Sequence, residues 1–269
     1  MRIPFTQVDA FANQPFAGNP AAVMPLSRWL DDAVLQGIAA ENNLSETAFL
    51  VPDASGEAEF ELRWFTPANE VVMCGHATLA SGHVVLSSDT ALDRVRFRTR
   101  QAGTLSVERR DSGYALALPA WRPEPTPLPV LVAALGLEGR VVETLWHHHR
   151  YGMVVVADAD TVRGLDPDFR AMAREGDVLT IVTAPGGEGD DTDIVSRAFA
   201  PGAGIDEDPV TGSAHAVLVP YWAQRLGRNT MTAFQASARG GRLSCALEGE
   251  RVVLGGACVT VIEGTFLLP

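Results

Sequence analysis

The sequence contains no lysine: all 21 of its basic residues are arginine. A Schiff-base enzyme needs an amine nucleophile, and pyridoxal phosphate is attached through lysine, so both mechanisms are closed to this chain. Cysteine is scarce as well. Cys74, Cys245 and Cys258 are too few and too scattered for a disulfide framework, which makes a reducing cytoplasm the expected compartment. No apolar run reaches the roughly 20 residues that a membrane span needs. The N-terminal Met1-Arg2-Ile3-Pro4-Phe5 lacks a signal-peptide stretch and leads straight into a strand-like segment. Positive charge is also in deficit, with a net charge of −12. Phosphate backbones require basic clusters, so nucleic acid is not an expected partner, and neither is a membrane. Any anionic substrate must be attracted by local groups, such as the free amides at helix N-termini.

What is present suits a globular protein: 46% hydrophobic residues, 20% charged, and 269 residues, enough for one large domain or two ordinary ones. An internal echo favours two. Phe65-Thr66-Pro67 leads to Glu70-Val71-Val72-Met73-Cys74-Gly75-His76-Ala77, and Phe199-Ala200-Pro201 leads to Glu207-Asp208-Pro209-Val210-Thr211-Gly212-Ser213-Ala214. Each reads Phe-x-Pro, an acid, three residues, Cys or Thr, Gly, a polar residue and Ala, about half a chain apart.

Local patterns give an α+β reading with many strands and few helices. Asp31 or Asp32 can cap a helix with the apolar face Val34, Leu35, Ile38 and Ala39, ended by Asn42-Asn43. Thr47 to Val51 is a short apolar strand. Val95, Phe97 and Thr99 alternate with arginines, the period of a strand with one wet face. Asp111-Ser112-Gly113 is a hairpin turn. Helices are expected from about Gly75 to Leu86, at Leu131 to Leu135, and from Gly212 to Leu226, closed by Gly227. Later strands are expected at 153–157, 178–183, 193–199, 231–236, 243–247, 251–254 and 258–262. The proline-rich run Pro119 to Pro129 reads as a semi-rigid linker between an N-terminal half, 1–120, which the extreme C-terminal residues can join, and a C-terminal half, 121–269.

Several motifs go further. Val8-Asp9-Ala10-Phe11, Phe16-Ala17-Gly18-Asn19-Pro20-Ala21-Ala22-Val23, Leu44-Ser45-Glu46-Thr47-Ala48-Phe49, Cys74-Gly75-His76-Ala77-Thr78-Leu79-Ala80 and Asp206 to His215 stand in the order of the phenazine-biosynthesis-like (PhzF-like) family, which the sequence resembles. Gly255 to Val261 is also similar. The resemblance implies a diaminopimelate-epimerase-like fold of two pseudo-symmetric halves, each a strand barrel around a helix, with the site in the cleft between them. It further implies an isomerase without cofactor or metal, a small carboxylate-bearing substrate, and a homodimer.

By the same resemblance, Glu46 is the catalytic general acid/base. Its context agrees, since it stands where a polar turn enters an apolar strand, and partial burial makes a carboxyl group a workable proton shuttle near neutral pH. A strand-end glutamate facing water is the competing reading. Gly75-His76 and Gly212-Ser213 correspond to two helix N-termini whose free amides suit a substrate carboxylate. His76 can bind substrate, share in proton transfer or simply cap its helix. Asp208 and Ser213 match substrate-orienting residues, although Asp208 before Pro209 also suits a turn. Asn19 is either a site residue or a turn stabiliser. Two-cysteine epimerases of this fold use a thiolate on each face of the substrate. Here Cys74 is echoed by Thr211, far too weak a base, so a one-sided glutamate-driven proton shift is expected, with Cys74 filling space. The alternatives are an epimerase using Glu46 and Cys74, and an inactive small-acid-binding protein. His147-His148-His149 reads as a solvated or cleft-lining run, since neighbours on a strand face opposite ways and no partner has ligand spacing. Gly186 to Asp191 reads as a flexible acidic loop without calcium spacing. Cys245 and Cys258 read as core.

Overall fold

A computed structural model describes residues 1–187 and 189–268. Glu188, in the middle of the expected acidic loop, lies outside them. The chain divides into two compact units, Met1–Leu118 with Leu254–Pro269, and Pro119–Val253. No helix among the described residues is long and apolar enough to cross a membrane.

In the first unit β1 (Arg2–Ala10) pairs antiparallel with β2 (Asn19–Pro25), and β2 lies parallel to β3 (Glu46–Pro52). The crossover between β2 and β3 carries α1 (Asp32–Asn42), which buries Leu35, Ile38 and Ala39 and ends on Asn43 in the left-handed conformation. β3 pairs antiparallel with β4 (Phe60–Phe65), whose last residues pair antiparallel with the short β5 (Glu70–Val71). After α2 (Gly75–Ser88), β6 (Arg94–Thr99) joins β4 in parallel. β7 (Thr104–Arg110) and β8 (Gly113–Pro119) follow as antiparallel hairpin partners around the expected turn. Val95, Phe97 and Thr99 are buried, while Arg96 and Arg98 on the wet face pair with Glu59, Asp53 and Glu61.

Helix α2 packs against β1, β2, β3, β6 and β7. Every residue from Gly75 to Gly82 is buried, so its first turns have no wet face. The sequence allows this because the side chains are small or apolar and the polar ones satisfy themselves. Thr78 and Ser81 return their hydroxyls to the carbonyls of Cys74 and Ala77, at 2.5 and 2.7 Å. A Cβ on Gly82 would lie 2.3 Å from Val107 Cγ1, so the close passage of β7 depends on glycine there.

The second unit begins with the proline-rich run, and here the linker reading needs correction. The amides of Ala120 and Trp121 donate to Glu250 and Ala216, and β9 (Glu124–Pro125) pairs with β10 (Val141–His147). The run is stitched to its unit because the non-proline residues still have amides to satisfy. α3 (Pro129–Ala134) follows it. β11 (Tyr151–Val156) pairs with β10 and lies parallel to β12 (Leu179–Pro185), with two short helices between, α4 (Ala159–Arg163) and α5 (Phe169–Ala173). β13 (Ile194–Ala200) bridges β12, β14 (Ile205–Asp208) and the parallel β15 (Thr230–Gln235). α6 (Gly212–Leu226) packs on β15 and β16 (Gly241–Glu248) and ends at Gly227 with φ +66°. β17 (Arg251–Gly256) then leads to β18 (Cys258–Leu267), which pairs along β1 in the first unit.

The architecture is strand-rich with few helices. The sequence reading missed β2, β10 and β14, the two-residue β5 and β9, and the short helices α4 and α5. It also placed the histidine run on a strand, whereas β10 stops at His147 and a turn brings the three rings together, with centroids 4.2 to 5.1 Å apart. His147 stacks on Trp121 and is buried, so the run is not simply solvated.

Candidate functional site

Three elements of the first unit bring the expected residues together. Glu46 is the first residue of β3, Asn19 the first of β2, and Gly75 and His76 open α2. Because β2 and β3 run parallel, Glu46 sits opposite Ala21, two residues beyond Asn19. All are buried: Asn19 is 0% exposed, His76 3% and Glu46 8%. The water-facing reading of Glu46 does not hold.

His76 is the hub. Its Nε2 lies 2.9 Å from Glu46 Oε2, and its Nδ1 lies 3.1 Å from Asn19 Nδ2 and 3.5 Å from Cys74 Sγ. An amide nitrogen can only donate, so in this arrangement Nδ1 accepts. In the neutral ring this places the proton on Nε2, facing the carboxylate, whereas the charged ring carries a proton on each nitrogen. Burial disfavours the charged ring, but Cys74 and Glu46 outweigh it and hold the His76 pKa well above its ordinary value. The Cys74 thiol is pushed up to about 11, first by burial and then by the Glu46 charge. Cys74 is buried, as a space-filling thiol would be, yet it also touches the histidine.

The loop leading to Asn19 is held in an unusual shape. Phe11, Phe16 and Gly18 have φ of +59°, +69° and +67°. A Cβ on Gly18 would lie 2.2 Å from the Ala10 carbonyl oxygen, so the family-like Gly-Asn pair needs its glycine. The Phe16 amide donates to the buried Asp9 at 2.9 Å, fixing the turn.

In the second unit Gly212 and Ser213 occupy the first two positions of α6, as Gly75 and His76 do in α2. Thr211 caps α6 in extended conformation, the counterpart of Cys74. Its hydroxyl donates to Asp208 at 2.5 Å. Gln235, fully buried at the end of β15, accepts from the Thr211 amide at 2.8 Å and donates to the Asp208 carbonyl at 2.7 Å. Asp208 is thus held in its turn through both side chain and backbone. His215 donates through Nδ1 to the Thr211 carbonyl at 2.8 Å, as Thr78 does to Cys74. Burial drives the His215 pKa down to about 4. Sequence reasoning missed Gln235, because a lone glutamine at a strand end carries no local signal. His215 was quoted only as part of a motif, although its position four residues after Thr211 is the i, i+4 spacing of such a bond.

The description "phenazine biosynthesis-like protein" fits residues 8–264, nearly the whole chain. The chain belongs to the phenazine biosynthesis-like family. An uncharacterized isomerase of Pseudomonas aeruginosa is 48% identical over 271 residues, covering all of both chains. The crystal structure of a phenazine biosynthesis protein of the PhzF family from Enterococcus faecalis matches with a TM-score of 0.89 at 44% identity, again over all of both chains. A hydroxyproline epimerase from Agrobacterium vitis shares the fold alone, with a TM-score of 0.63 at 10% identity over 98% of this chain and 92% of that one. The isomerase name of such a relative supports an isomerase-type activity for this phenazine biosynthesis-like chain.

Proposed function

We propose that the protein is a cofactor-independent isomerase that moves a proton on a small carboxylate-bearing substrate, with Glu46 as general acid/base. The observation that supports this most is the buried contact between Glu46 Oε2 and His76 Nε2 at the head of α2. A general acid/base must hold a proton without losing it to bulk water, and the pair does so in two ways. Burial limits exchange, and the His76 ring, with Nε2 2.9 Å from Oε2, holds the carboxylate in place. Glu46 keeps 11% of its side chain open, enough to reach a bound molecule.

The free amides at Gly75 and His76 suit the substrate's carboxylate, since the first turn of a helix leaves N–H groups unpaired and carries positive potential. Gly212, Ser213 and Asp208 are assigned to substrate binding and orientation, and Asn19 to holding His76. The reaction removes a C–H proton to Glu46 and returns it at another carbon of the same molecule, an allylic or keto–enol shift. Absence of lysine supports a route without a Schiff base. A homodimer, resting on the family resemblance, and a cytoplasmic location, resting on the three free cysteines, belong to the same proposal.

One observation favours a second reading. Cys74 Sγ lies 3.5 Å from His76 Nδ1, so a thiol stands in the same buried cluster as Glu46, and a two-base epimerase would set the two on opposite faces of the bound substrate. Against it, a thiol held to about 11 supplies little thiolate near neutral pH. A thermal-shift panel of small carboxylates, followed by turnover in deuterium oxide, tests both readings. A binder raises stability by about 2 to 4 kcal/mol when well above its dissociation constant. Conversion to a positional isomer supports the first reading, and inversion at one labelled stereocentre supports the second.

A further inference from the structure

We propose that Cys74 and His76 form an inhibitory binding site for a soft divalent cation of the zinc class, with Glu46 as its outer-shell carboxylate. Binding of the ion does not depend on the function proposed above; that it is inhibitory rests on that reading. Glu46, Cys74 and His76 are all buried, and one donor atom from each lies within 4.8 Å of the others.

The spacing of the inner pair fits a metal. A tetrahedral zinc ion with bonds of about 2.3 Å to sulfur and about 2.0 Å to nitrogen holds those atoms about 3.5 Å apart. Cys74 Sγ and His76 Nδ1 are 3.5 Å apart without an ion. The two side chains therefore already stand at the separation that zinc requires, and the ion takes the place of the proton between sulfur and nitrogen. The far side of the ring supplies what metal-bound histidines usually have, because Nε2 lies 2.9 Å from Glu46. A carboxylate there fixes the tautomer that leaves Nδ1 free to ligate and raises the basicity of the ring. Water completes the coordination.

The balance is explicit. The Cys74 S–H bond breaks, an S–metal bond forms, and the proton leaves to solvent. Asn19 Nδ2 gives up its bond to Nδ1, whose lone pair passes to the metal. Binding therefore releases at least one proton per ion and tightens as pH rises. It also ties His76 and Glu46 into a fixed array, so a bound ion and proton transfer by Glu46 exclude each other.

The test uses cobalt(II), a spectroscopic stand-in for zinc, titrated into the chelator-stripped full-length protein without substrate. The expected result is saturable binding of one ion per chain with a thiolate-to-cobalt charge-transfer band. Cys74→Ser should remove the band, while Cys245→Ala and Cys258→Ala should keep it. Glu46→Gln should weaken binding about 10- to 100-fold, the usual loss when an outer-shell partner is removed. A band that survives Cys74→Ser, or cobalt binding to the wild-type protein without any thiolate band, would overturn the proposal. So would the absence of saturable binding. Each of these results leaves the isomerase reading intact, because no turnover is measured.

Discussion

His76 Nε2 stands 2.9 Å from Glu46 Oε2, while Nδ1 of the same ring faces Asn19 and Cys74. One imidazole thus separates the carboxylate from the thiol, and each side chain meets a different nitrogen. Removing the carboxylate should therefore be felt by the ring directly. In Glu46→Gln the negative charge that helps raise the His76 pKa is lost, so the ring should titrate at lower pH than in the wild type. Nitrogen-detected NMR of the His76 ring measures this, and an unchanged titration would mean that the two groups are not coupled.

Gln235 clamps the turn that carries Asp208 and Thr211 with hydrogen bonds to both residues. Gln235→Leu fills similar space but leaves a buried amide and carbonyl without their partners. Each such group costs about 1 to 3 kcal/mol, so the variant should lose several degrees of melting temperature. It should also bind substrate more weakly than the wild type at a temperature where both are folded. Calorimetry with whichever acid the panel finds checks this, and undiminished affinity would remove Gln235 from the positioning of Asp208.

Much of this was legible in the sequence, and the reason is local. Glu46, Gly75, His76, Gly212 and Ser213 sit at element starts, where polar-to-apolar switches and glycines mark the chain. The buried strand face at Val95 and Phe97 was visible as a period of two. What escaped reading depends on partners distant in the chain. Gln235 acts on a turn 24 residues away, and the Asn19–His76 bond spans 57. The histidine run misled because a turn, rather than a continued strand, decides where the rings point. Trp121 reaches it from the proline-rich segment that reads as a semi-rigid linker.

His215 gives a pH dependence with a definite sign. Its ordinary pKa is 6.5 and burial lowers it to about 4 in the folded protein. Between those values the unfolded chain binds the proton and the folded one does not, so stability falls as pH drops from 6.5 to about 4. The full loss from this group is about 3 kcal/mol. His147, also lowered to about 4 by burial and by His148 and His149, adds a slope of the same sign. Urea unfolding across this range should show a shallower decline for His215→Gln than for the wild type. Parallel declines would mean that His215 is not held neutral by the fold.

Cys74→Ala tests whether the thiol does more than fill the entrance of α2. On the glutamate mechanism it should cost about 1 kcal/mol of stability and leave turnover within about tenfold of the parent. Denaturant unfolding and steady-state rates on the same acid measure the two effects, and a folded but inactive variant would give the thiol a chemical role.

The most direct measurement is the rate of deuterium incorporation into the substrate in deuterium oxide, compared between wild type and Glu46→Gln. The substitution keeps the shape and hydrogen-bonding capacity of the side chain and removes only its ionisable group. If Glu46 carries the proton, incorporation should fall by about 10²- to 10⁴-fold while substrate affinity is largely retained. Incorporation within tenfold of the wild type, in a Glu46→Gln protein that still binds substrate, would contradict the assignment of Glu46 as the acid/base.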